Sequence, residues 1–194
     1  MRKLFMAVIA IVAASQLSIA QEIKELEVVI TPSLQEEGEL PYTGVPLTWD
    51  HFKGAPDNSC EFIAMTYSGI KMKYEYKSRN GKAQAKVLLC PYMDITQSWY
   101  KKEGHNDPTL AHEQRHFDIT AIVARQFADE IKKRQFTVEN FQKEMKILHK
   151  KYIDKLAKMQ AEYDQETDHG IKTDIQSAWD KRLAEEVRKA MAES

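Results

Sequence analysis

Residues 109–120 read TLAHEQRHFDIT, and within them His112-Glu113-Gln114-Arg115-His116 has the spacing HExxH. On a helix, residues four apart stand one above the other on one face. His112 and His116 can therefore aim both imidazoles at one ion, at the roughly 2.0–2.1 Å that zinc requires. Glu113 is displaced by one position around the helix, where it reaches a metal-activated water without being a ligand, as a general base must. His112, His116, Ile119, Val123 and Phe127 fall on one stripe, so the histidines extend an inward-facing apolar row. The pentapeptide alone is weak. With six His and eighteen Glu in 194 residues, chance produces it in roughly 2% of shuffled chains.

The elements around the motif give it a setting. Asp107 is read as the N-cap and Pro108 as the first residue of a helix running to about 134. Thr137 caps a second helix lasting to His169-Gly170, where glycine takes the left-handed exit. Thr173-Asp174-Ile175-Gln176 reads as the capping box of a third helix ending near Ala192, with a stripe of Ile175, Trp179, Leu183, Val187 and Met191. Before the helices, IKELEVVI reads as a strand and TPSLQEEGELPYTGVP as a connector. EFIAMTYSGIKMKYEYK and KAQAKVLLC form an antiparallel pair about an Asn80-Gly81 turn. The predicted fold class is α+β, a small antiparallel β-sheet followed by three helices.

A catalytic zinc usually has three protein ligands and one open position. The extended pattern HExxHxxGxxH is absent, since Ile119 and Ile122 stand at its Gly and third His. By residue type the candidates are His105, His149, Glu130, Glu139, Glu144 and the cluster Asp164, Glu166, Asp168, His169. The second helix carries Phe141, Met145, Leu148, Tyr152, Leu156, Met159 and Tyr163 on one stripe, so it packs antiparallel on the motif helix. That arrangement returns its C-terminal end, YDQETDHG, to the start of the motif helix. His169 is then the best-placed donor, with Glu166 as rival and His105, in a loop, as alternative. His149, beside the stripe in a Lys-rich stretch, is read as solvated. Asp118 is read as making a helix-surface or inter-element hydrogen bond, in preference to holding a ligand's other ring nitrogen, Thr120 as a support for a ligand or a back-bond to the helix, and Tyr163 as core.

Bulk properties narrow the function further. Formal net charge is -1, so no field of one sign recruits nucleic acid or an anionic membrane. Arg2-Lys3, the short apolar run after them and Ser18-Ile19-Ala20 read as a signal peptide over 1–20, cleaved near Gln21. The mature chain is expected to be secreted or periplasmic, with no integral membrane segment. In that oxidising compartment Cys60 and Cys90 are expected to form a disulfide, which would stabilise by roughly 3–4 kcal/mol.

Three segments, LTWDHFKGAPD (47–57), LAHEQRHFDIT (110–120) and YDQETDHG (163–170), together resemble a bacterial family catalogued as a domain of unknown function, whose members are described as predicted secreted zinc-dependent proteases. The resemblance spans about 44–180. It implies that His112 and His116 bind Zn2+, that Glu113 is the catalytic acid/base, and that His169 is the remaining ligand. The expected organisation is a signal peptide (1–20), an N-terminal strand and connector (21–43), and a zincin-like metallopeptidase domain (44–194) hydrolysing peptide or protein substrates. The competing expectation is a non-catalytic cell-envelope protein with a structural metal or none. Glu113 separates the two, because a structural site has no use for a carboxylate there.

Overall fold

The computed structural model describes residues 20–79 and 82–192. The predicted signal peptide and the Asn80-Gly81 turn lie outside these, apart from Ala20. The chain is α+β, with strands first and three helices after them. Strand β5 (Lys82–Asp94) is the centre of the main sheet. Its inward-facing residues Ala83, Ala85, Val87, Leu89 and Met93 alternate, as strand periodicity requires. Strand β4 (Ser68–Arg79) pairs with it antiparallel along the whole of one edge, from Ser68↔Met93 to Arg79↔Lys82. The other edge is shared by β1 (Ile23–Ile30) and β2 (Glu39–Pro41).

Three features depart from the sequence reading. β1 runs parallel to β5, so the sheet is mixed rather than antiparallel. β2 lies within the expected connector, where three residues add to the sheet. The segment read as one strand before the hairpin is also divided. Its first part, β3 (Ala64–Met65), leaves the main sheet to pair with β6 (Trp99–Tyr100).

Helix α1 (Asp107–Lys132) packs against the sheet and both other helices. Its N-cap is Asn106, one residue earlier than expected, because the Asn106 carboxamide accepts from the Thr109 N–H. Ile119, Val123 and Phe127 are fully buried in the main core, with the Phe127 ring stacked on Tyr152 of α2 at 4.8 Å. Burying each such side chain contributes roughly 1.5–3 kcal/mol, which makes α1 a rigid platform. Helix α2 (Phe141–Thr167) starts later than predicted, since Thr137 and Asn140 cap each other in a turn ahead of it. Its predicted stripe is buried or packed on the core throughout, and it returns antiparallel to the start of α1. Helix α3 (Thr173–Ala192) buries Trp179 and Leu183, while Ile175 and Met191 at its ends are exposed.

The expected disulfide is not formed. Cys90 is buried in the middle of β5, and Cys60 is half-buried in a loop, its thiol turned to the Asp57 carbonyl at 3.3 Å. Their compartment made a bridge plausible, but each thiol belongs to a different packing environment. Among the described residues no helix is long and apolar enough to cross a membrane.

Candidate metal centre

Helix α1 brings His112 and His116 onto one buried face, and α2 lays Asp164 across them. His116 Nε2 is 2.9 Å from Asp164 Oδ1, His112 Nε2 is 3.1 Å from the same oxygen, and the two Nε2 atoms are 3.3 Å apart. Donors at 2.0–2.1 Å around a tetrahedral zinc stand about 3.3–3.4 Å from one another. The three atoms therefore have nearly the spacing of a metal's ligands. These are the three side chains whose donor atoms lie within 4.8 Å of one another among the described residues. The centre opens to solvent over Asp164, whose side chain is 29% exposed against 7% for His112.

Glu113 is buried beside the pair, and its Oε2 has no hydrogen-bond partner among the described residues. A buried carboxylate oxygen without a partner is costly. The strain is explained if the site is completed by a cation and its water. His116 Nδ1 is likewise buried without a partner.

The charges are mutually arranged. Burial alone would raise the Asp164 carboxyl, but hydrogen bonds from His112 and His116 outweigh it and hold Asp164 well below the usual carboxylate range. Burial alone would lower His116, but the Asp164 hydrogen bond and the Glu113 charge outweigh it and raise it. The stability that His116 confers is thus present below about pH 6.5 and lost as pH rises through its higher folded value. That of Asp164 is present above about pH 4 and lost in stronger acid. Zinc needs the imidazoles unprotonated. Scanning calorimetry should therefore show the zinc-free chain losing stability from pH 6 to 8 while the gain from added zinc grows. A gap that narrows over that range would contradict this electrostatic account.

The predicted site residues are not all gathered. His169 lies just past the end of α2, about half exposed against Phe62 at 4.9 Å, with Nδ1 at 3.7 Å from Asp164 Oδ1. It borders the cluster without joining the three-donor group. Glu166 instead accepts from Trp179 Nε1 at 2.8 Å, and His105 stacks on Trp49 at 5.3 Å. His149 is half-buried rather than solvated, with Nε2 hydrogen-bonded to the Ile70 carbonyl at 2.9 Å on the strand beside it. Thr120 donates back to the His116 carbonyl at 3.1 Å, and Asp118 accepts from Tyr42 of the N-terminal segment at 2.9 Å. Asp164 was one of several candidates by type. The sequence signal that singles it out is its position on the flank of the buried face formed by Leu156, Tyr163 and Thr167.

Fold and site together define an α+β protein in which an HExxH helix and a carboxylate from the next helix form a metal-capable His-His-Asp centre. The profile of DUF922, a bacterial protein family of unknown function, matches residues 42–170, and the chain belongs to that family. No curated protein matches the chain, and no solved structure does.

Proposed function

We propose that the chain is a zinc-dependent peptidase acting outside the cytoplasm, on the secreted or periplasmic side implied by its first twenty residues. The observation that carries this reading is the buried, unpartnered Glu113 Oε2 beside three donors spaced 2.9–3.3 Å apart. His112, His116 and Asp164 hold the metal, and two imidazoles with a carboxylate suit zinc. His169 stands at the rim, next to Asp164. When bound, zinc polarises the scissile carbonyl and makes water acidic enough to attack it at neutral pH. Glu113 takes the proton from the attacking water and returns it to the leaving amine. Thr66 of the β3 segment donates to the Glu113 carbonyl at 3.4 Å, and the alternating Ile63, Met65 and Tyr67 face solvent. Those exposed apolar side chains near the centre favour an extended polypeptide as substrate.

Glu113→Gln tests the reading. The variant should keep one zinc per chain by elemental mass spectrometry while hydrolysis of a fluorogenic peptide library falls about 10²–10⁴-fold. Equal hydrolysis by both proteins would remove Glu113 as the base. A zinc-loaded native chain that cleaves nothing in the library would leave the metal a structural role.

A further inference from the structure

Gln176, on α3, places Oε1 at 3.1 Å from His112 Nδ1. Its Nε2 lies 2.9 Å from Asp180 Oδ1 and 2.6 Å from the Tyr163 hydroxyl. The amide orientation follows from its neighbours. A carboxylate only accepts, so the NH2 group must face Asp180 and the oxygen must face His112. The hydrogen count then closes. The two N–H groups go to Asp180 and to the Tyr163 oxygen, and the Tyr163 hydroxyl has two acceptors in reach, Gln176 Oε1 at 2.9 Å, whose second lone pair still serves His112, and the His112 carbonyl at 3.4 Å. His112 Nδ1–H donates to Gln176, so Nε2, which without metal hydrogen-bonds Asp164, is the nitrogen whose lone pair an ion would take.

We infer that Gln176 is the positioning residue of the metal centre: it fixes His112 in the tautomer and ring orientation that present Nε2 to the ion. The inference rests on the metal reading proposed above. Two further contacts hold the ring in that plane. Tyr163 stacks on it at 4.6 Å with 18° between planes, and Gly170 approaches so closely that an added Cβ would lie 3.2 Å from Nδ1. The amide is itself anchored. Asp180 accepts from Arg115 Nε at 2.9 Å, Arg115 also pairs with Asp118, and Asp118 accepts from Tyr42. A polar chain thus runs from the metal-facing imidazole across α3 to the N-terminal segment. Gln176 and Asp180 lie beyond the matched residues 42–170, so α3 contributes to the centre a part that the family segment does not contain.

The test is zinc affinity, measured by competition with a chromophoric chelator on the full mature chain. Gln176→Met keeps the shape and removes the acceptor, and should bind zinc about ten- to a hundredfold more weakly, the usual effect of losing such a support. The double variant Gln176→Glu/Asp180→Asn reverses the donor and acceptor across the pair, restores an acceptor to His112, and should recover most of the affinity. A merely structural role for Gln176 would not predict that recovery. The zinc-loaded native chain should also show a slowly exchanging His112 Hδ1 coupled to Nδ1 in 1H–15N spectra, a readout that needs no variant to fold. Native affinity in Gln176→Met, no recovery in the double variant, or no such proton would overturn the inference. No zinc on the native chain would overturn the metal reading as well.

Discussion

Asp164→Ala is expected to abolish zinc binding at micromolar metal, while His169→Ala retains it. Structural zinc sites with four protein ligands have apparent binding free energies of about 10–16 kcal/mol, so one ligand is worth on the order of 3 kcal/mol, about a hundredfold or more in affinity. The loss at Asp164 should exceed that average. Among the described residues its carboxylate is the only negative group that touches both imidazoles, at 3.1 and 2.9 Å. His169 lies 3.7 Å from the same carboxylate and about half exposed, so its removal should cost no more than about tenfold, the lower range for a group that orients a ligand. Glu166→Ala should leave affinity unchanged and lower stability by about 1 kcal/mol through the lost Trp179 hydrogen bond. Chelator competition on the three variants separates the possibilities. Zinc retained by Asp164→Ala and lost by His169→Ala would give the third position to His169.

The contrast between these residues shows what the sequence could reveal. The HExxH helix, its inward stripe and the antiparallel return of α2 all follow from periodicity, because an apolar row sampled every 3.6 residues reports directly which face is buried. The same reasoning brings the end of α2 to the start of α1, and the structure places Tyr163 and Asp164 there. Choosing one donor within that end needed the angle at which the helix stops. Asp168 takes a left-handed conformation at φ 52°, so the chain leaves the helix axis before His169 and carries it to the rim. Residue type favoured the histidine, and backbone direction favoured the aspartate.

Gln176 was hidden for another reason. Thr173-Asp174-Ile175-Gln176 satisfies the capping-box pattern, which assigns the Gln side chain to its own helix end. In the fold that side chain reaches His112, 64 positions earlier in the chain. A local rule had claimed a residue that also reaches two partners outside its own helix, His112 and Tyr163. The parallel pairing of β1 with β5 was similarly out of reach, because alternation shows which residues face the core but not the direction of the neighbouring strand. The disulfide failed because the compartment informs on thiol chemistry and not on the distance between two side chains.

The turn after α2 ties backbone conformation to the metal centre, and two glycine substitutions separate these effects. Asp168 and His169 both sit at φ 52°, and Gly170 follows at φ 84°. Two consecutive non-glycine residues in the left-handed region store strain, about 1–2 kcal/mol each, and such strain persists only where surrounding contacts impose it. Gly170→Ala should add about another 1–2 kcal/mol, a fall of several degrees in melting temperature for a chain of this size. Gly44, at φ 79° in the loop after β2, should show a similar cost, because there a Cβ meets only the Met191 terminal methyl at 3.6 Å. The two differ in what the new methyl touches. At Gly170 it presses on His112 Nδ1 at 3.2 Å, the atom held by Gln176, and the ring must give by a few tenths of an ångström to make room. Zinc affinity should therefore fall about tenfold or more in Gly170→Ala and stay native in Gly44→Ala, although the two lose comparable stability. Equal affinity in both would mean that the ring yields without consequence, and that the turn shapes the chain's path without shaping the metal centre.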